Sequence, residues 1–251
     1  MLLKFDLNQE PKRKRKNIVT LKLIMISKFT FNNQYLLNEL PKCDKELLEK
    51  VMQNKKYRKN DAIFTEGTLP TGIFYVQFGK VKKYKVDNDG REQIIYIYNS
   101  GEFFGYSAVL SEESYGDTTL AIENSIISVI SKEDFINILD NSALFSRLLL
   151  KSLSHEFSVM VNLMAVLSQR TVRERVALSL LILHDKYKIS ETEKDVFITL
   201  SRADLANMAG TVNETLARVL HDFRNENLIW IEGRKIQLLN FERLIHVANF
   251  Y

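Results

Sequence analysis

The stretch that decides the fold runs from Leu200 to Arg218 and reads Leu-Ser-Arg-Ala-Asp-Leu-Ala-Asn-Met-Ala-Gly-Thr-Val-Asn-Glu-Thr-Leu-Ala-Arg. Ser201-Arg-Ala-Asp204 has the form of a capping box that opens a short helix, and Gly210 is suited to end that helix. Thr211-Val-Asn-Glu214 has the same form and predicts the start of a second helix. Two capped helices joined by a tight turn are typical of a helix-turn-helix.

A β-hairpin is predicted directly after this pair of helices. Two apolar runs, Leu228–Ile231 and Ile236–Leu239, flank the turn sequence Glu232-Gly-Arg-Lys235. A hairpin in that position makes a wing, so residues 170–251 are expected to form a winged helix-turn-helix domain.

Base reading is expected at the start of the second helix, because a recognition helix presents its N-terminal residues to the major groove. Glu214 and Arg218 are four residues apart and share one face. A carboxylate can accept from cytosine N4, and a guanidinium can pair with guanine O6 and N7. Hydroxyl and guanidinium groups at the helix starts are suited to phosphate contacts. The predicted DNA-binding residues are Ser201, Arg202, Thr211, Asn213, Glu214 and Arg218.

From about residue 57 to 130 the sequence is typical of β-structure. The runs Gly72–Phe78 and Gln93–Tyr98 are rich in β-branched and aromatic residues, and Asp89-Gly90 predicts a hairpin turn. Short strands separated by glycines favour a jelly-roll barrel over a β-α-β fold. The fold class is therefore α+β.

A long helix is predicted after the barrel, over residues 141–169. Apolar residues recur there at spacings of three and four, which predicts a coiled-coil seam. A helix packed only on its own domain is the alternative. The predicted dimer interface consists of Leu150, Leu153, Phe157, Met160, Met164 and Leu167.

The charge distribution excludes several simple interpretations. The net charge of +4 comes from residues 1–24, which hold seven basic and two acidic residues, with the run Lys12–Lys16 at their centre. We expect residues 1–28 to be a disordered basic extension, or an upstream extension of a chain that begins at Met25. Neither a secretory signal nor a membrane helix is predicted, so the chain is expected to be cytoplasmic.

Catalytic and metal-binding motifs are not recognisable. The four histidines have no metal-ligand spacing, and the single cysteine, Cys43, allows no disulfide or iron–sulfur cage within one chain. The sequence predicts no catalytic residues, no metal site and no enzymatic activity.

Beyond these patterns, residues 40–251 resemble the Crp/Fnr superfamily of bacterial transcription regulators. The match rests on the segment Leu200–Arg218, on Leu167–Val176, and on Glu66-Gly67, Gly79-Lys-Val81 and Gly101–Gly105, which are similar to the family's cyclic-nucleotide-binding-like barrel. The resemblance implies a homodimer on a palindromic operator of double-stranded DNA, with RNA polymerase as a further partner. It also implies that Glu214 and Arg218 read G·C pairs.

Cyclic AMP is disfavoured as the effector. The family's binding site needs a Glu for the ribose and an Arg for the phosphate, and Tyr106 and Tyr115 stand at the matching positions. A buried phosphate without a cation would be strongly unfavourable. The barrel is expected either to bind a small apolar effector or to be filled by its own side chains. Residues suggested to line such a pocket are Phe103, Phe104, Tyr106, Tyr115, Thr118 and Met160.

These predictions divide the chain into an extension (1–28), a sensor barrel (29–140), a dimerisation helix (141–169) and a DNA-binding domain (170–251). The expected function is sequence-specific transcription regulation, and any effector of the barrel is expected not to be a cyclic nucleotide. Two alternatives remain: a ligand-binding regulatory subunit that acts through protein partners, and an architectural DNA binder without sequence preference.

Overall fold

The computed structural model describes residues 26–188, 193 and 195–249. The basic run Lys12–Lys16 and the alternative start at Met25 lie outside the described residues. Eight strands form the N-terminal domain: β1 (Gln53–Tyr57), β2 (Ala62–Phe64), β3 (Gly72–Phe78), β4 (Lys80–Val86), β5 (Glu92–Asn99), β6 (Phe103–Phe104), β7 (Thr118–Ala121) and β8 (Ser125–Ser131).

The eight strands form two antiparallel sheets of four, in the orders β1-β8-β3-β6 and β2-β7-β4-β5. Apolar residues from both sheets face each other and form the barrel interior. The predicted hairpin joins β4 to β5, where Gly90 has φ +78° and its N–H donates to the Asp87 carbonyl oxygen at 3.0 Å. The jelly-roll barrel and the α+β class are confirmed.

The N-terminal half contains the helices α1 (Tyr35–Asn38), α2 (Lys42–Val51), α3 (Tyr106–Ser111), α4 (Lys132–Asn141) and α5 (Ala143–Gln169). The long helix α5 spans 27 residues, so it extends for roughly 40 Å. The Ser142 hydroxyl caps its N-terminus by accepting the Phe145 N–H at 3.2 Å. Val159 and Ser152 are buried against the domain, while Phe157 is 72 % exposed, so the helix has one packed and one open side.

The segment immediately before α1 crosses between the barrel and the C-terminal domain. Ile26 is buried in the core of the C-terminal domain. The Asn162 side-chain amide, on α5, donates to the Lys28 carbonyl oxygen at 2.9 Å. Tyr96 of β5 donates to the Phe31 carbonyl oxygen at 2.5 Å. Ile26 and the Lys28 carbonyl oxygen therefore contact the rest of the fold, although both residues lie within the extension predicted over residues 1–28.

The C-terminal half contains α6 (Val172–Tyr187), α7 (Arg202–Ala209), α8 (Asn213–Asn225) and α9 (Phe241–Ala248). A capping box opens α6, in which Thr171 and Glu174 bond to each other's backbone N–H groups. Hydrogen bonds from Asn249 and from Thr171 lower the pKa of Glu174 to about 2. Asn249 follows α9, so this carboxylate also joins the end of α9 to the start of α6.

The predicted wing is present as β10 (Ile229–Glu232) paired with β11 (Lys235–Leu238). A short strand that the sequence did not indicate, β9 (Phe197–Ile198), pairs with β11 and makes the sheet three-stranded. Two residues are too few to show the alternation from which a strand is recognised.

Candidate nucleic-acid interface

The helix-turn-helix is built as its sequence predicts, with one correction. The Ser201 hydroxyl caps α7 by accepting the Asp204 N–H at 3.0 Å, and Gly210 ends the helix with φ +61°. The capping box predicted at Thr211 is wrong. The cap residue of α8 is Val212, one position later, and it makes no side-chain capping bond. The Thr211 N–H instead closes the preceding turn on the Ala206 carbonyl oxygen at 3.0 Å.

The apolar side of α8 is buried, and its polar side is open. Leu216, Leu220 and Phe223 pack into the domain core. Their burial leaves the predicted base-reading residues Asn213, Glu214 and Arg218 exposed in the first two turns. Arg218 Nε donates to the backbone carbonyl oxygen of Glu214 at 3.5 Å, and not to the Glu214 carboxylate. Both charged groups are therefore accessible to a ligand.

The residues predicted to contact phosphate lie at the start of α7 and just before α8. Ser201, Arg202 and Thr211 are all partly exposed. One terminal nitrogen of Arg202 donates to the Gly233 carbonyl oxygen in the wing turn at 3.1 Å. The other terminal nitrogen, Nη1, is buried and has no hydrogen-bond partner. Arg202 thus positions the wing against α7.

The turn of the helix-turn-helix is fixed by Arg175, which the sequence did not single out. Its guanidinium donates to the carbonyl oxygens of Ala209 (2.8 Å), Gly210 (2.9 Å) and Arg170 (2.8 Å). The first two are at the end of α7, and Arg170 follows the long helix. A single side chain therefore joins the end of α5 to the turn that orients α8.

A buried ion pair holds the C-terminal domain on the barrel. Lys186 Nζ of α6 lies 2.6 Å from Glu102 Oε1, which precedes β6, and their side chains are 6 % and 3 % exposed. Lys186 also donates to the Phe31 carbonyl oxygen at 3.2 Å, and the Asn99 N–H donates to Glu102 Oε2 at 2.7 Å. Burial raises the pKa of Glu102, although Lys186 opposes that rise. We call the barrel–α5–α6–α7 contact region around this pair the joint.

A second cluster at the joint reaches the helix-turn-helix itself. Lys82 Nζ of β4 lies 2.7 Å from Glu92 and 2.8 Å from Asp204 of α7. Burial opposes the charge on Lys82, but its hydrogen bonds to the two carboxylates outweigh that effect and raise its pKa. The Asn207 amide also donates to Glu92, at 3.3 Å. The first helix of the DNA-binding motif is thus anchored to the barrel sheet.

The barrel interior is filled with aromatic rings. Phe64 stacks on Tyr115 with ring centroids 3.8 Å apart, and Phe104 stacks on Phe74 at 5.2 Å and on Tyr98 at 5.0 Å. The Tyr115 hydroxyl donates to a backbone carbonyl oxygen, that of Gly72, at 3.0 Å. Of the two expectations for the barrel, the packing favours filling by the chain's own side chains.

The six residues suggested for an effector pocket do not share one wall. Phe103 and Phe104 are successive residues of β6, so their side chains point to opposite faces of the sheet. Phe104 faces the barrel interior, whereas Phe103 packs on the outside, under the helices. Tyr106 lies in that outer layer too. Thr118 accepts the Glu66 N–H at 3.0 Å, and Met160 is 37 % exposed on α5.

The outer layer contains a carboxyl group with a shifted pKa. Tyr106 donates to Glu156 of α5, and Asn33 donates to the Tyr106 hydroxyl at 3.2 Å. Burial raises the pKa of Glu156 to about 7, and the nearby charge of Lys83 opposes the rise. The position where the family resemblance expects a ribose-binding Glu is therefore occupied by a tyrosine that is bonded within the chain.

The described residues contain neither a metal-binding cluster nor a membrane-spanning helix. Within the described part of the chain, no cluster of three or more His, Cys, Asp or Glu side chains could hold a metal ion. The helices in the same ranges include none that is long and apolar enough to span a membrane.

The fold and the open face of α8 together define a winged helix-turn-helix DNA-binding protein with an N-terminal jelly-roll barrel. Two family models match the chain: the cyclic nucleotide-binding domain over residues 54–142 and the Crp-like helix-turn-helix domain over residues 174–247. The chain belongs to the Crp/Fnr family of transcription regulators.

Known bacterial regulators are similar over most of their length. The fumarate and nitrate reduction regulatory protein of Vibrio cholerae is 23 % identical over 216 residues, which are 85 % of each chain. The transcriptional activator protein anr of Pseudomonas aeruginosa is 26 % identical over 201 residues, covering 80 % of this chain and 82 % of that protein. The structure of FixK2 from Bradyrhizobium japonicum superimposes with a TM-score of 0.71 at 26 % identity, covering 78 % and 97 % of the two chains.

Proposed function

We propose that this regulator binds a palindromic operator as a homodimer and reads it with Asn213, Glu214 and Arg218. The observation on which the proposal rests is the open polar face at the start of α8, whose other side is buried in the domain core. A helix placed in this way can enter a major groove with its N-terminal side chains against the base edges. Arg218 and Glu214 supply the groups that pair with guanine and cytosine.

The exposed side of α5 supports the homodimer. Three large apolar residues in the predicted seam, Leu150, Phe157 and Met164, are 64 %, 72 % and 67 % exposed. Met160 and Leu167 continue the same stripe. Leu153 differs from the prediction, because it is half-buried and packs on the helical layer of its own domain. A contiguous apolar stripe on a helix that is otherwise packed is suited to pair with a second copy of itself.

The effector is not a cyclic nucleotide in this proposal. Tyr115, at the position expected for a phosphate-binding Arg, is stacked on Phe64 and bonded to the backbone. Tyr106, at the position expected for Glu, is bonded to Glu156. A cyclic phosphate would therefore gain no cation from either residue, and burying it unpaired is unfavourable. The proposal includes a cytoplasmic location, RNA polymerase as a further partner and no enzymatic activity. Its support is that the named relatives are regulatory proteins, among them a transcriptional activator.

Arg218→Ala tests the proposal. The operator is first obtained by selecting bound sites from random double-stranded DNA with the purified full chain. The variant should bind the selected operator more weakly by about 1–3 kcal/mol, and it should lose preference at one G·C pair of each half-site. The measurement is a titration by fluorescence anisotropy at fixed salt, since DNA affinity depends strongly on salt.

Arg224→Ala is the matched control, because Arg224 is exposed on the same helix but lies in its last turn. It removes the same charge without removing the proposed base contact, so the operator preference should persist. Equal preference in the wild type and in Arg218→Ala would refute base reading by Arg218. Binding without any preference in the wild type would indicate an architectural DNA binder.

A further inference from the structure

A cavity of about 250 Å³ lies at the joint, between β5, the C-terminal part of α5, α6 and α7. We propose that it is a binding site for a small, uncharged, hydrocarbon-rich molecule, distinct from the barrel interior. Its wall is almost entirely apolar. The residues that form most of it are Ile95, Leu163, Val166, Leu178, Ile182 and Met208.

The polar groups in the wall have partners inside the chain, so they select against a charged ligand. Arg175 donates to three backbone carbonyl oxygens. The Ser179 hydroxyl donates to the Arg175 carbonyl oxygen at 2.9 Å, and the Gln93 amide donates to that of Ile94 at 3.1 Å. An anion would enter without a free cation, and burying it would be unfavourable.

The volume indicates the size of the ligand. An apolar cavity of roughly 150 Å³ stays dry and binds benzene. A cavity of 250 Å³ therefore fits a bicyclic aromatic molecule or a chain of roughly eight carbons.

A second copy of the chain would close this cavity and not fill it. Met160, Met164 and Leu167 form the mouth and belong to the exposed seam. The deeper wall, which includes Val166 and Leu178, is buried in the chain's own core. Side chains of a paired helix insert only into holes between seam residues. The closure of the mouth rests on the proposed homodimer, whereas all residues of the cavity wall belong to one chain.

The position of the cavity links its occupancy to the DNA-binding motif. Arg175 contacts the cavity and holds the end of α7. At Gly210, a Cβ atom would approach the Leu167 side chain to 3.0 Å and the Gln93 side chain to 3.3 Å. Because both neighbours also line the cavity, a bound molecule would press on the turn that orients α8.

Calorimetric titration of the full-length dimer with 1-octanol and naphthalene tests the site, with octanoate as the charged counterpart. We expect saturable binding of one molecule per protomer, and at least tenfold weaker binding of octanoate. Ile95→Trp should fill the cavity and lower octanol affinity at least tenfold. Met208→Phe serves the same purpose if the first variant does not fold. Val86→Trp, at an exposed position of the neighbouring strand, should bind like the wild type.

The proposal would be overturned by the absence of saturable binding to the dimer, or by equal octanol binding to Ile95→Trp and Val86→Trp. Binding only to monomers would also overturn it, because the partner's side chains would then occupy the cavity. Operator affinity is measured separately, with and without octanol. A change of at least threefold in the wild type, absent in Ile95→Trp, supports the link to DNA binding. Failure of the wild type to select an operator would refute the proposed function and leave the binding result intact.

Discussion

The barrel interior and the joint are both buried, but they are packed in different ways. In the barrel, Phe74 stacks on Phe104, and the Phe64 ring packs against both in tilted contacts. The joint contains the buried ion pair of Lys186 with Glu102 and an apolar cavity whose wall includes Arg175. Close-packed interiors resist deformation, whereas contacts between domains have alternative arrangements. If the cavity binds a ligand as we propose, control of DNA binding would act at the joint, with the barrel as a rigid support.

The largest expected loss of stability comes from a substitution in the barrel interior. Phe104→Ala removes a ring that is 1 % exposed and stacked on both Phe74 and Tyr98. Because the surrounding sheets cannot close the space, unfolding in urea should show a loss of about 4 kcal/mol. Phe78→Ala is the control, since Phe78 is 63 % exposed, and it should change stability by less than about 0.5 kcal/mol. Equal losses for the two variants would mean that the barrel is not closely packed.

A somewhat smaller effect is expected at the joint. Lys186→Met keeps the aliphatic stem but leaves Glu102 buried without its cation, which should cost about 3 kcal/mol of stability. The loss should be largest above the raised pKa of Glu102, where its carboxyl must be ionised. Adding Glu102→Gln should restore part of the stability at neutral pH. No recovery in the double variant would show that Lys186 acts through its other contact, at Phe31.

The smallest expected change in stability comes from the titration of Glu156, which lies between the barrel and α5. Glu156 has a pKa of about 7 in the protein against 4.5 in the unfolded chain, so the folded state binds more protons between these values. Stability should therefore fall as pH rises from 4.5 to 7, by on the order of 2 kcal/mol, and then level off.

Glu156→Gln retains an acceptor for Tyr106 and removes the titration. Thermal unfolding of this variant should show a flatter pH profile between 4.5 and 7 than that of the wild type. Glu133→Gln, at an exposed position in the first turn of α4, is the control and should retain the wild-type slope. If Glu156→Gln retained the wild-type slope, the pH dependence of stability would have to come from other groups.

Much of the DNA-binding domain could be predicted because its signals are local. The Ser201 hydroxyl caps α7 by accepting the N–H of the residue three positions later, and Gly210 adopts the left-handed conformation that ends the helix. The error at Thr211 was also local: the turn after Gly210 uses the Thr211 N–H, which moves the cap to Val212. Capping patterns locate a helix start to within a residue or so, and neighbouring turns decide the rest.

The pocket residues could not be predicted in the same way. Phe103 and Phe104 are adjacent in the sequence and equally apolar, and only the pairing of β6 with β3 determines which ring faces inward. Arg175, Lys186 and Glu102 resemble ordinary surface charges in the sequence. Folding brings Ala209 to Arg175 from 34 residues away, and Glu102 to Lys186 from 84 residues away.

The sequence by itself determined the order of barrel, long helix, helix-turn-helix and wing, the polar start of α8 and the family, because short-range caps, turns and periodicities encode them. The tertiary structure alone decided that the barrel is filled, that buried charges fasten the DNA-binding domain to it, and that a cavity remains at their joint. The physical reason is that burial and pairing depend on contacts between residues distant in the chain, whose geometry no local pattern contains.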